Sequence, residues 1–200
     1  MERGGYAVAE YANQDAIVST EWVAQHLDDP KVKLVEVDVQ TDAYDEGHIR
    51  GAVGWNWTSQ LQDRVRRDIL SQEGIEALLS QSGISPSDTI VLYGDNNNWF
   101  AAYAYWLLKL YGHEDVKLMN GGRKKWLAEG RPVTKDVPRP QPTQYKAKPL
   151  NAVLRAKRDQ VLAALGQAQS ALVDVRSPQE FTGEILAPPG LPETAQRGGH

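Results

Sequence analysis

Thr89-Ile-Val-Leu-Tyr-Gly-Asp95-Asn-Asn-Asn-Trp99-Phe-Ala-Ala-Tyr-Ala-Tyr-Trp-Leu-Leu-Lys109 decides how the rest of the chain is read. The stretch opens with a run of apolar and β-branched residues, the pattern of a buried strand. A polar elbow follows from Gly94 to Asn98. The next segment has helical period, with Trp99, Tyr103, Trp106 and Leu110 about one or two turns apart on one side. A strand that ends in a tight loop and opens a helix aims backbone N–H groups into the loop, at the positive end of the helix. That is a cradle for an anion or for a reactive side chain. Its first side chain here is Asp95, and the chain has no cysteine.

Working outward, strands and helices alternate on both sides. Ser19 is an N-cap for a helix through Leu27, stopped by Asp28-Asp29-Pro30. Residues 32–39 alternate and are Val-rich, a strand. Residues 44–52 are a glycine-punctuated turn into a short strand at 52–55. A helix is expected at 74–82, ended by Gly83, and a strand at 116–119. Gly121-Gly122 then turns into a helix holding Trp126 and Leu127. This order implies a mostly parallel sheet covered on both faces. Residues 1–17 read as a flexible arm. Further on, 155–165 is expected as a helix, 171–175 as a strand, and 177–181 as a helical turn with Pro178 at its start.

Composition narrows the function. Net charge is −4 and charged residues make up 24%, which argues against nucleic acid as a partner. The charge is uneven. Residues 1–130 carry 12 basic and 20 acidic side chains, whereas residues 131–160 carry 8 basic, 2 acidic and five prolines. That stretch reads as a solvated linker, with docking onto an acidic domain face as the alternative. Without Cys there is no disulfide, thiolate metal site or thiol nucleophile. No run of about 18 apolar residues spans a membrane, and the first ten residues lack an apolar signal core. A cytoplasmic location is expected. No histidine pair has zinc-ligand spacing, and no phosphate- or dinucleotide-binding fingerprint occurs. Neither metal nor cofactor is expected.

The chain also repeats itself. Leu34-Val-Glu-Val37 matches Leu172-Val-Asp-Val175; an aromatic follows each, Tyr44 and Phe181; and Gly47-His48 matches Gly199-His200. With the spacing of the first copy, the second copy's loop falls at about position 247. The expectation is one complete domain at 18–133, a linker at 134–152, and the start of a second, similar domain at 153–200.

These motifs resemble the rhodanese family, specifically tandem-domain thiosulfate sulfurtransferases. They are Leu34-Val-Glu-Val37, the Glu46-to-Ala52 turn, Tyr93-Gly-Asp95, and Asn120-Gly-Gly with Trp126, then Leu172-to-Arg176 and Arg197-Gly-Gly-His200. The resemblance covers the chain from about residue 18 onward and implies an α/β rhodanese-like fold, a parallel sheet flanked by helices. It implies that the first domain is of the inactive type, with Asp95 where the nucleophile would be and Asn96 and Trp99 completing the inactive loop. Sulfane sulfur transfer from thiosulfate or 3-mercaptopyruvate to cyanide or a thiol would use a Cys persulfide in the second domain. Asp174 and Arg176 would lie on the substrate side or at the interdomain face. The implied partners are a small anionic sulfur donor and the chain's own C-terminal domain. Some members hold the donor with an Arg near the position of Glu180, which a Glu would not do.

Single residues keep alternatives open. Asp95 can fill the cradle, N-cap the Trp99 helix, or act as a carboxylate nucleophile. His48 can fix its turn or serve as a base. Arg123-Lys124-Lys125 can hold an anion or form a solvated helix face. A non-catalytic binding or regulatory module is the alternative to the enzyme.

Overall fold

The computed structural model describes residues 13–66, 68–187 and 198–199. Two compact units divide it, residues 1–155 and 156–200. The first is a five-stranded, all-parallel sheet. Its strands are β1 (Ile17–Val18), β2 (Val32–Asp38), β3 (Val53–Asn56), β4 (Thr89–Tyr93) and β5 (Val116–Met119), in the order β1-β5-β4-β2-β3. Five helices connect them, α1 (Thr20–Gln25), α2 (Asp42–Glu46), α3 (Trp57–Gln60), α4 (Gln72–Gln81) and α5 (Trp99–Leu110), and α6 (Gly122–Ala128) follows β5. The expected parallel α/β architecture is therefore present. Parallel strands need crossover helices, and these cover both faces of the sheet.

Local chemistry sets the helix starts. Ser19 Oγ accepts the Trp22 N–H at 3.0 Å and Ser71 Oγ accepts the Gly74 N–H at 3.1 Å, each satisfying one orphan donor of a first turn. The strands divide their side chains by period 2. Val35, Val37, Ile90 and Leu92 pack with Ile75, Leu79, Leu107 and Leu108, whereas Leu34, Val91, Tyr93 and Met119 pack with Val23, Ile49 and Trp126. In α5 the buried stripe is Ala101, Ala104, Leu107, Leu108 and Leu110; of the side read from the sequence only Leu110 belongs to it. Alanines let the helix approach the sheet; Tyr103 and Trp106 sit on its shoulder, and Trp99 is 63% exposed.

Two readings of unstructured chain need correction. Of the supposed N-terminal arm, Gln14–Ala16 forms a 3₁₀ turn and Ile17–Val18 pairs with Leu118–Met119 as an edge strand; residues 1–12 lie outside the described residues. The basic, proline-rich stretch is not a solvated spacer. It holds no named helix or strand between 131 and 151, yet it is stitched to the unit along its length. Thr134 exchanges backbone bonds with His48 at 2.8 Å each way, Thr143 N–H reaches Ser80 O, and Asn151 N–H reaches Leu110 O. Tyr145 is buried in the core. Lys146 pairs with Glu76 at 2.9 Å and Lys148 with Glu114 at 2.5 Å. Acidic groups of the first 130 residues thus receive the strap's cations, which is the docking alternative.

The second unit carries α7 (Arg158–Ala164) and α8 (Pro178–Thr182). Residues 171–175 are not a strand: no strand occurs among its described residues, and Leu172, Val173 and Val175 are exposed. A strand exists by pairing, and this segment has no neighbour to pair with among those residues. Ser177 and Glu180 form a reciprocal capping box on α8, with Pro178 at N1.

Candidate functional site

The site lies at the C-terminal ends of β2 and β4, where an open parallel sheet presents its loops. In the register of these strands Glu36 stands opposite Tyr93. Glu36 and Asp38 share the strand face that carries Leu34, so both point toward α6. Beyond Tyr93 the chain turns through Gly94 into the loop. Gly94 has to be glycine, since a Cβ there would lie 2.3 Å from Val37 O and 2.9 Å from Asp38 Oδ1.

Asn96, Asn97 and Asn98 follow with φ of 49°, 55° and 64°. Three consecutive left-handed residues are unfavourable for L-amino acids, least so for asparagine. The loop is held in that shape by its own polar groups. Asn98 Oδ1 accepts the Gly94 N–H at 3.1 Å, Asn98 Nδ2 donates to Met119 O at 2.8 Å, and Asn98 N–H donates to Asp95 O at 2.9 Å. Asp95 N–H donates to Asp38 Oδ1 at 2.7 Å. Gly122 packs under the loop from α6, where a Cβ would meet Asn98 Oδ1 at 2.3 Å.

Arg123 closes the site. Its backbone N–H reaches Gly94 O at 3.2 Å. Its guanidinium donates to Glu36 Oε1 at 2.8 Å and to Ala43 O at 2.7 Å, and its Nε lies 3.7 Å from Asp95 Oδ1. Arg123 is therefore neither a solvated helix residue nor a free anion holder; Lys124 and Lys125 are exposed. Burial pushes the Glu36 carboxyl up to about 7, opposed by Tyr93 and Arg123. Burial also raises Asp38, opposed first by the Asp95 N–H. Burial and then the Glu36 charge drive the Tyr93 hydroxyl well above its ordinary range.

Asp95, Asn96 and Trp99 are thus brought together in one loop, but Asp95 is not an N-cap. Its carboxylate accepts no N–H of the loop or of α5; it turns toward Arg123 with its side chain 39% exposed. The left-handed Asn residues rotate the helix N–H groups away from it. Sequence reasoning missed Glu36 and Asp38. The available signal was two acids at i and i+2 inside a Val-rich strand of a sheet covered on both faces, where carboxylates do not belong unless paired.

His48 is buried, stacked on Tyr44 at 3.8 Å, with its ring nitrogens facing the carbonyls of Tyr44 and Asp136. That is the turn-fixing arrangement rather than a base facing the loop. In the second unit, Asp174 and Arg176 pair with each other, with Nη2 at 2.6 Å and Nε at 3.0 Å, and Arg176 also reaches Gly199 O. The Glu180 carboxylate accepts from Ser177, which commits it to the cap. Arg197 and His200, the end of the repeated motif, lie outside the described residues. Among the described residues no cluster of three His, Asp or Glu is placed to hold a metal, and no helix is long and apolar enough to cross a membrane.

Comparison with known proteins agrees with this geometry. The rhodanese-like domain model matches residues 19–129. A Haloferax volcanii protein named as a thiosulfate sulfurtransferase is 56% identical over 197 residues, covering 96% of this chain and 68% of the relative. One of the same description from Saccharopolyspora erythraea is 55% identical over 190 residues, covering 94% and 67%. The sulfur carrier protein TtuD of Thermus thermophilus is 49% identical over 194 residues, covering 95% and 68%. Among solved structures, the Escherichia coli 3-mercaptopyruvate sulfotransferase SseA superposes with a TM-score of 0.74 at 22% identity, over 86% of this chain and 69% of that one, a likeness of fold. With the parallel sheet, the β4-to-α5 loop and the matched domain all in agreement, the chain belongs to the rhodanese family.

Proposed function

We propose that this chain is a thiosulfate sulfurtransferase-type protein whose first rhodanese-like domain, residues 18–133 with the strap that follows, is a non-catalytic partner domain. Residues 153–200 are then the beginning of a second domain that supplies the chemistry. The observation that carries the reading is the loop from Gly94 to Trp99. It has the strand-to-helix placement of a nucleophile loop, yet it offers a carboxylate at Asp95. Sulfane transfer needs a thiolate. A thiolate attacks the outer sulfur of thiosulfate, the S–S bond breaks, and sulfite leaves with the bonding pair. The resulting persulfide gives its terminal sulfur to cyanide or a thiol acceptor, and the thiolate is regenerated. A half-exposed carboxylate held by Arg123 is a poor substitute for that nucleophile. The donor is a small anion, and the names of the relatives support sulfur donors and acceptors as the partners.

The test compares the 200-residue chain with a form extended into a second domain that contains Cys. Thiosulfate-to-cyanide transfer is expected only in the extended form and is expected to disappear on Cys→Ser substitution there. Turnover by the 200-residue chain itself would overturn the proposal. A second reading, a binding module, is favoured by one observation, the exposure of Trp99 beside the loop and of Leu172, Val173 and Val175. An extended form that binds a partner but transfers no sulfur would decide for it.

A further inference from the structure

The segment between α3 and α4 is built as a finger. Its legs are held by the molecule: Leu61 is buried, Ile69 packs against the core, and Gln62 and Ile69 face each other in an antiparallel bridge. Beyond the bridge the Asp63 N–H donates to Asp68 O at 2.8 Å. Asp63 Oδ1 then accepts the N–H groups of Val65 at 2.9 Å and Arg66 at 2.6 Å. An aspartate used in this way sets the backbone of a turn. The tip that it shapes presents Arg64, Val65 and Arg66 to solvent, with Val65 92% exposed. Arg67 lies outside the described residues.

The charges at the tip have no counterpart. Arg50, Arg123, Arg131, Arg155, Arg158 and Arg176 each meet a carboxylate. Arg64 and Arg66 meet none among the described residues. Arg64 Nε donates to Ser59 O at 3.3 Å. Of the acids that flank the tip, Asp63 turns to the backbone and Asp68 pairs with Arg155. Carboxylates are plentiful, 26 against 22 Lys and Arg, so these two arginines do not lack a partner for want of acids in the chain. A guanidinium on a fixed backbone is ready for the bidentate geometry of a carboxylate and loses less freedom on meeting one.

We propose that the tip at residues 64–66 is a docking element for an acidic segment of a partner protein, whose carboxylates pair with Arg64 and Arg66 on either side of an apolar side chain seated on Val65. Arginine beside an apolar contact is the composition of a protein interface. An isolated valine between cations gives nucleic acid nothing to read, and the net charge of −4 opposes it. The place of the finger fits a docking role. Strand β3 ends at the same edge of the parallel sheet as β4, and α3 sets Trp57 against Phe100 at 5.2 Å, one residue beyond Trp99. The finger therefore springs from the end of the sheet that carries the Gly94-to-Trp99 loop.

The experiment titrates the isotope-labelled 200-residue chain with a capped, glutamate-rich peptide that has one central leucine, and follows backbone amide shifts at low salt. The largest shifts are expected at residues 63–68, and added salt should weaken binding. Arg64→Ala/Arg66→Ala should raise Kd about tenfold, and Val65→Ser about threefold. Lys124→Ala/Lys125→Ala removes another exposed basic pair and should leave Kd unchanged. All of these are surface changes, and urea unfolding checks that each variant is folded. No shift at millimolar peptide, shifts confined to other residues, or a Kd indifferent to the two arginines overturns the proposal. So does tighter binding of single-stranded RNA of the same charge, or self-association that Arg64→Ala/Arg66→Ala abolishes, which would make a second copy the occupant.

Discussion

Asn98→Ala should be among the most damaging surface-loop substitutions in the chain, and the cost follows from three contributions at one residue. The Gly94 N–H is buried and loses its acceptor, Asn98 Oδ1, at 3.1 Å. An orphaned buried donor costs about 1–3 kcal/mol. Met119 O loses the Nδ2 donor at 2.8 Å, a net bond of about 1 kcal/mol. Alanine must also adopt φ near 64°, a left-handed conformation that costs roughly 1 kcal/mol or more. Together these give about 3–5 kcal/mol, or a fall in Tm of roughly 6–20 °C for a chain of this size. Asn98→Gly separates the contributions. It loses the same side-chain bonds but not the conformational penalty, so it should cost about 1 kcal/mol less than alanine. Urea unfolding followed by tryptophan fluorescence measures both, with Trp99 as a reporter next to the loop. A cost below about 1 kcal/mol for Asn98→Ala would refute the view that this side chain holds the loop. Equal costs for alanine and glycine would refute the strain at this position.

Three further outcomes are expected. Asp95→Ala should change stability by less than about 1 kcal/mol, because its side chain caps nothing and its long contact to Arg123 is partly exposed; urea titration checks this. Arg123→Met should cost about 3 kcal/mol, since it strips the buried carboxyl pair of its cation and leaves Ala43 O without its donor; it should also raise the proton uptake of the folded state measured by potentiometric titration. At the other side of the unit, the Tyr145 hydroxyl donates to His113 Nδ1 at 2.7 Å while His113 Nε2 donates to Asp88 O at 2.8 Å. This neutral pattern agrees with burial lowering the His113 pKa. The unfolded chain binds a proton that the folded one refuses, so this site's stability is present above the ordinary histidine value of about 6.5 and is lost as pH falls below it. Tyr145→Phe leaves Nδ1 free to accept a proton and should cost about 1–2 kcal/mol near neutrality while flattening that acid limb in thermal melts.

How much of this was legible in the sequence depends on which residues carried the information. The Val-rich run at 32–39 and the apolar run at 89–93 announced buried strands, and Ser19, Gly83 and Gly121-Gly122 punctuated the helices, because periodicity and caps are local chemistry. The loop position of Asp95 was legible for the same reason. The direction of its carboxylate was not. Whether an aspartate caps a helix depends on the φ angles of the residues after it, and three asparagines in sequence do not declare that all three turn left-handed. The fate of residues 131–151 was hidden because proline and lysine describe both a spacer and a strap. What separates them is Tyr145 and the acidic residues Glu76 and Glu114, far away in sequence. Leu172 to Val175 shows the opposite error: a strand pattern states a propensity, and pairing requires neighbours.

The strap has a consequence for the order in which this protein can be made. The rhodanese-like match ends at residue 129, but the bonds that finish the first unit do not. His48 meets the backbone of Thr134 and Asp136, more than eighty residues later, and His113 meets its hydroxyl partner only at Tyr145. During synthesis from the N-terminus, a chain that has reached Glu129 holds every strand described in the sheet, yet His48 and His113 each have only one of their two ring partners and the place of Tyr145 in the core is empty. Residues 131–155 act as a clasp that can shut only after the whole sheet exists, so the contacts of the first unit are complete only when Arg155 has emerged.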